Sequence, residues 1–207
     1  MAINLCTNTS DECLFYEVLS HTNMLTYAHD ALRFYNYITG KTCKELLQFV
    51  KENISPRELL SAEIPQFSSF VDCYITVPRL VVCSGIDNIT FERIGSLMRT
   101  GKTSKMADCK YGENQSKTAS LMGLVTIQGG MVYPNGLTLL TYNLNNSEWN
   151  FLLPKLCLLV PFVQQYFVRG ANEETRDLLL GILSETTQAR RKGNCMTMIK
   201  LVENACK

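Results

Sequence analysis

The four consecutive polar residues Asn114, Gln115, Ser116 and Lys117 are the side chains in this sequence best suited to recognition chemistry. Asn and Gln can pair with adenine through two hydrogen bonds, and Lys can meet guanine or a phosphate. Ala119 and Met122, close behind them, suit the inner side of the same helix. The stretch therefore predicts a helix over residues 111–122 that packs on one side and points polar groups outward on the other.

Two groups of basic residues accompany this helix. Arg99, Lys102, Lys105 and Lys110 lie before it, with only Asp108 in opposition, and Arg190, Arg191 and Lys192 follow one another near the C-terminus. Cations of this kind neutralise phosphates and position a protein on a nucleic-acid backbone. The C-terminal triplet is equally consistent with a solvated turn beside a packing helix.

Few features of the chain favour catalysis. The GKT at 101–103 resembles a phosphate-binding loop, but the first glycine of that motif would fall at position 96, which is Ser. The two histidines, His21 and His29, have no cysteine or carboxylate pair beside them. Nine cysteines occur at irregular spacing without a CxxC, which favours free thiols over a zinc site. We therefore predict that the chain is not an enzyme and needs neither a metal nor a cofactor.

The elements around residues 111–122 follow a recognisable order. Thr90 can cap a helix over residues 91–98, and Gly101 ends it. A polar connector leads to the 111–122 helix, which Gly123 stops. The apolar stretches LVTIQ and MVY then flank Gly129-Gly130, a two-residue hairpin signal, before YPNGLTLL begins a capped helix.

The run GENQSKTASLMGLV…GGMVYPNGLTLL resembles winged helix-turn-helix domains, as found in bacterial transcription regulators and in the recognition modules of some restriction enzymes. The resemblance covers about residues 90–142. It implies a winged helix in which the 111–122 helix enters the major groove of DNA and the hairpin forms the wing.

The rest of the chain divides into an acidic first part and a basic second part. Residues 1–90 hold six Lys or Arg against ten Asp or Glu, and residues 91–207 hold fourteen against nine. We predict an N-terminal helical region with one or two short strands (1–88), a winged-helix domain (89–145) and C-terminal helices (146–207). The last region contains either a second helix-turn-helix, which would make the protein tandem, or ordinary packing helices.

The most apolar run, residues 149–168, contains two prolines and two glutamines, so we expect a buried core helix and no membrane span. With no leader pattern at the N-terminus, we expect a cytoplasmic location. The fold class predicted is mainly α with a small β-ribbon.

The function expected from these features is non-catalytic binding of double-stranded DNA, as a regulator or as the recognition component of a DNA-processing or defence system such as restriction-modification. The alternative is an adaptor or assembly subunit that uses the same fold to bind protein, with the acidic N-terminal region as its docking surface. The sequence specifies neither the target site nor the oligomeric state. A surface map separates the two classes, because contiguous positive potential favours DNA and a mixed patch favours a protein partner.

Overall fold

The computed structural model describes residues 10–84, 88–101 and 103–207, apart from the side chains of Asn23 and Met24. The fold is about 70% helical with one small antiparallel sheet, which confirms the predicted fold class at that level. The helices are α1 (Asp11–Ser20), α2 (Ala28–Gly40), α3 (Cys43–Asn53), α4 (Val77–Cys83), α5 (Phe91–Met98), α6 (Lys105–Leu121), α7 (Gly136–Thr141), α8 (Asn146–Cys157), α9 (Pro161–Val168), α10 (Glu173–Leu180) and α11 (Glu185–Ala205), and the strands are β1 (Ile89–Thr90), β2 (Thr126–Gln128) and β3 (Met131–Tyr133).

Two helices in the N-terminal region begin where their sequence favours a cap. Ser10 is a residue type that caps helices, and its hydroxyl accepts a hydrogen bond from the backbone of Cys13 at the start of α1. Thr42 and Glu45 have the three-residue spacing of a capping box, and they form one at the start of α3. In each case a side-chain oxygen satisfies a backbone N–H that has no partner inside the helix.

Residues 55–83 differ from what their sequence favours. The run SPREL at 55–59 is typical of a helix start capped by Ser55, but the structure has no helix there and only a short 3-10 turn at Ser61–Glu63. Residues 68–83 are rich in β-branched and aromatic residues, which favours one or two short strands, or a strand followed by a short helix. They are instead mostly helical, with a π-helix at Asp72–Thr76 that continues into α4, so the short strands predicted in this region are wrong. Pro78 lies inside this continuous helical stretch, where its nitrogen has no N–H to donate to the preceding turn.

The central part of the chain runs β1, α5, α6, β2, β3, and the strands pair in the order β1-β3-β2. Gly129 and Gly130, both with positive φ, form the turn between β2 and β3, which confirms the predicted hairpin. Val132 of the middle strand pairs with Ile89 on one side and Ile127 on the other, and it is fully buried. The sheet therefore joins the start of α5 to the chain that leaves α6.

Helices α5 and α6 touch backbone to backbone. A Cβ atom added at Gly95 would overlap the Asp108 carbonyl oxygen, and one added at Gly112 would overlap the Phe91 carbonyl oxygen. Only glycine permits an approach this close. The pair of glycines therefore fixes how α6 lies across α5.

The C-terminal helices contribute the apolar centre of the molecule. Trp149 and the buried residues of α8 and α9 pack in one continuous core with side chains from α1 to α3 and from α11. The apolar run forms two helices instead of one: Pro161 begins α9, whereas Pro154 lies inside α8 without ending it.

Within the described ranges, no single helix is long and apolar enough to cross a membrane. Helices α8 and α9 pass that test of length and composition only as a pair, with a bend of 67° between them.

Candidate functional site

The outer face of α6 is the exposed side of the helix predicted to carry recognition. α6 begins at Lys105, earlier than expected, because Ser104 caps it by accepting from the Ala107 N–H. Its solvent side then follows the helical period, with Met106, Lys110 and Lys117 exposed. We call this the α6 face; its members are Lys105, Met106, Cys109, Lys110, Glu113 and Lys117.

Gln115 and Ser116 do not belong to that face. Both side chains are 0% exposed, so the prediction that they point outward is wrong. The Gln115 amide, oriented by its hydrogen-bond network, accepts from the backbone N–H groups of Ser68 and Ser69 and donates to the Ser69 carbonyl. The Ser116 hydroxyl is buried without a hydrogen-bond partner.

The physical reason is a chain segment from far earlier in the sequence. Residues 61–69 lie against the inner side of α6, where the Thr118 hydroxyl also donates to the Gln66 carbonyl at 3.0 Å. A buried backbone needs polar partners, and the polar residues of α6 supply them. The hydrogen-bonding capacity of Gln115 is thus used inside the protein.

Glu113 lies between the two exposed lysines of the α6 face. Its carboxylate accepts from Lys110 Nζ at 2.8 Å and from Lys117 Nζ at 2.6 Å. The two ammonium groups hold the pKa of Glu113 below its usual value, so the group is ionised at neutral pH. Three side chains one turn apart therefore form a Lys–Glu–Lys triad with a net charge of one positive unit.

Beside the triad, a cleft of about 150 Å³ lies between α6, residues 61–66 and the first turns of α11. Ser61, Gln66, Lys110, Asn114, Lys117 and Arg191 are among the residues that line it. We call it the cationic cleft. Four of the predicted contact residues meet there: Lys110, Asn114 and Lys117 from α6, and Arg191 from the C-terminal basic triplet.

Arg191 is held at the edge of the cleft by the same segment that covers α6. Its guanidinium donates to the Gln66 side chain at 3.1 Å and to the carbonyls of Ser61 and Ile64 at 2.6 and 2.9 Å. Burial lowers the pKa of Arg191 from its ordinary value, but an arginine remains charged at neutral pH. Three cations, Lys110, Lys117 and Arg191, therefore line the cleft, and Glu113 pairs with the two lysines beside it.

Three of the remaining predicted cations lie within 4 Å of a carboxylate. Arg99 is 3.5 Å from the buried Asp108 and lies over the Tyr111 ring, which ties it to the α5–α6 contact. Lys105 is exposed and 3.9 Å from Glu92. Lys192 is 3.5 Å from Asp177, and Arg190 is exposed. Lys102 lies outside the described residues.

The tip of the β2–β3 hairpin is exposed and uncharged. Gln128, Gly129 and Gly130 are exposed, and no charged side chain occurs from Leu124 to Tyr133. Two hydrogen bonds fix the following turn against the end of α6: Asn135 Nδ2 donates to the Gly123 carbonyl at 2.9 Å, and the Thr138 hydroxyl donates to the Leu124 carbonyl at 2.6 Å. The tip is therefore set relative to α6 by buried polar contacts.

Across the described ranges, no group of three or more His, Cys, Asp or Glu side chains lies together in a way that could hold a metal ion. Burial raises the pKa of the Cys73 thiol well above its usual value, and it raises the pKa of Cys43 and of Cys195 to about 12. These thiols stay protonated at neutral pH, when they are poor nucleophiles.

Sequence reasoning overlooked two residues of the site. Glu113 was available from the pattern, because Lys110, Glu113 and Lys117 are spaced three and four residues apart on one helix. Gln66 had no local signal, since its role depends on contacts with α6 and with Arg191 more than 50 and 120 residues further along the chain.

Comparison with protein-family models, with curated proteins and with solved structures finds no match to this chain.

Proposed function

We propose that this chain binds duplex DNA without catalysis, as a regulator or as the recognition component of a DNA-processing or defence system. The single observation that carries the proposal is the cationic cleft, where Arg191 joins Lys110, Asn114 and Lys117 although 74 positions separate it from the nearest of them. Positive side chains gathered from distant parts of a chain suit an anionic partner.

The fold proposed for this activity is a winged helix-turn-helix built from α4, β1, α5, α6, β2 and β3. Three features support it: the order of these elements, the strand order β1-β3-β2 and the two-glycine tip between β2 and β3. In that arrangement α6 is the recognition helix and the hairpin is the wing. A second helix-turn-helix formed by α10 and α11 stays a prediction.

The contact residues follow from exposure. Lys110, Asn114 and Lys117 face the groove and its phosphates, and Arg191 approaches the backbone from the side of α11. Lys105 and Arg190 are also exposed and supply further phosphate contacts on this proposal. Gln115 and Ser116 are buried and therefore cannot contact bases; the Gln115 amide bonds the backbone of Ser68 and Ser69 instead.

The experiment that tests the proposal is titration of the purified chain with a fluorescent duplex of about 20 base pairs and mixed sequence, at several salt concentrations between about 50 and 200 mM. The variant is Lys110→Gln/Lys117→Gln, and the control is Lys44→Gln/Lys51→Gln, which removes two exposed lysines from α3. Since each phosphate contact contributes about 0.9 to the slope of log affinity against log salt, the variant should lose up to about two units of slope and the control none. No binding by the natural chain at the lowest salt, or equal binding by variant and control, would overturn the proposal.

A second candidate, a protein-binding adaptor, is favoured by one specific observation. Among the described cations predicted on α5 and α6, each has a carboxylate within 4 Å, so the α6 face is mixed in charge. Mixed polar surfaces are typical of the rims of protein interfaces. If the chain is folded by circular dichroism and binds no duplex at low salt, the adaptor becomes the better proposal.

A further inference from the structure

We infer that Glu113 is the specificity-determining residue of the α6 face and that it selects a cytosine in the bound DNA. The inference rests on the proposed function and extends it from binding to sequence preference. Its starting point is the position of Glu113, which lies between Lys110 and Lys117 on the exposed side of the helix.

A carboxylate at this position opposes non-specific binding. Glu113 has 22% of its side chain exposed, against 64% for Lys110 and 51% for Lys117. Any phosphate that approaches the lysines also approaches this negative charge. The triad therefore offers a phosphate one net positive charge instead of two, which weakens the sequence-independent part of the affinity.

The same carboxylate can only accept hydrogen bonds when it is ionised. In the major groove, cytosine presents an N4 amino donor, whereas guanine presents the O6 and N7 acceptors. A C·G pair thus offers a donor to Glu113 and acceptors to an adjacent lysine, which matches the triad group by group. Adenine also presents a donor, but its N7 acceptor is repelled by a carboxylate and its thymine partner offers a lysine only one acceptor.

The distance between the two lysines suits contact with several adjacent base pairs. Lys110 and Lys117 are seven residues apart, or about 10 Å along an α-helix, which corresponds to roughly three base pairs of duplex. On approach to DNA each lysine can exchange Glu113 for a guanine or a phosphate, and the released carboxylate can then accept from cytosine. The internal ion pairs thus keep the three side chains extended on one face before binding.

The test is selection of binding sites from a duplex library with a randomised central region, using the natural chain, Glu113→Gln and Glu113→Ala. The control is Glu17→Gln, which removes an exposed carboxylate in the middle of α1 and changes the net charge equally. Exposed ion pairs contribute little to stability, so the Glu113 variants are expected to fold.

The natural chain should enrich cytosine at one position by about fivefold or more. Glu113→Gln should move the preference at that position to adenine, because an amide pairs with adenine through two hydrogen bonds. Glu113→Ala should lose the preference and bind random duplex more tightly, and Glu17→Gln should behave like the natural chain.

Two outcomes overturn the reasoning at different levels. If the natural chain and Glu113→Gln select the same sequence, Glu113 does not read a base and this inference is wrong, while DNA binding stands. If the natural chain binds no duplex of any sequence, the proposed function is wrong and the inference falls with it.

Discussion

Replacing Gly112 by alanine should drive α5 and α6 apart and destabilise the protein. An alanine Cβ at this position would overlap the carbonyl oxygen of Phe91 and would lie 2.9 Å from the backbone nitrogen of Gly95. Both neighbours are backbone atoms, so no side-chain rotation can relieve the contact. The helices must separate by roughly 1.5 Å, the difference between this overlap and ordinary van der Waals distance.

Two opposing terms set the size of the effect. Alanine in a helix interior is favoured over glycine by about 1 kcal/mol. Overpacking costs about 1 to 3 kcal/mol where side chains can adjust, and a backbone contact lies at the upper end of that range. The net loss should be about 1 to 2 kcal/mol, which for a chain of this length lowers the melting temperature by roughly 2 to 8 °C.

Gly193→Ala is the matched control, because Gly193 also lies inside a helix but has no atom within 4 Å of an added Cβ. Only the propensity term applies there, so that variant should melt roughly 2 to 4 °C higher than the natural chain. Thermal unfolding followed by circular dichroism compares the two variants directly. If Gly112→Ala is as stable as Gly193→Ala, the close contact between α5 and α6 is wrong.

Two further changes probe buried polar groups, each by urea unfolding. Asn135→Ala removes the side chain that caps α7 by accepting from the Thr138 N–H, and it leaves the buried Gly123 carbonyl without its donor. The free energy of unfolding should fall by about 2 to 3 kcal/mol. A loss below about 1 kcal/mol, as for an exposed cap, would contradict the buried contact. Lys155 is buried with Nζ bonded to the Ile38 carbonyl, and burial lowers its pKa to about 8. Between pH 8 and the usual pKa of lysine, the unfolded chain then binds more protons than the folded chain, so folding becomes more favourable as the pH rises. From about pH 7 to pH 9.5, the free energy of unfolding of the natural chain should increase by about 2 kcal/mol relative to that of Lys155→Met. A difference that stays constant with pH would show that Lys155 is not desolvated.

Local signals in the sequence were reliable where a few neighbouring residues determine the structure. Thr42 and Glu45 satisfy each other's backbone groups within one turn, and Gly129-Gly130 supplies the two positive φ angles that a tight hairpin needs. These features depend on contacts three residues apart or fewer. They can be predicted without knowing the rest of the fold.

Burial of the polar residues on α6 could not be predicted in this way. Residues 113–118 are all polar, so the helical period does not distinguish the solvent-exposed face of α6 from the buried face. The distinction comes from residues 61–69, whose backbone donates to and accepts from the Gln115 amide and accepts from the Thr118 hydroxyl. The π-helix at Asp72–Thr76 was missed for a related reason. Its β-branched residues favour a strand, and contacts with α6, such as the hydrogen bond from Tyr111 to Asp72, favour the helix instead.

The charges themselves limit how the chain can bind DNA. Eight cations were predicted to contact it: Arg99, Lys102, Lys105, Lys110, Lys117, Arg190, Arg191 and Lys192. If every one neutralised a phosphate, the slope of log affinity against log salt would be about −7 for one chain. Arg99 is already committed to Asp108, and Glu113 offsets one lysine, so a single copy should give a shallower slope. A measured slope steeper than about −7 would therefore mean that two or more copies bind together. A shallow slope with clear sequence preference would instead place the discrimination in base contacts, where the Lys–Glu–Lys triad predicts it.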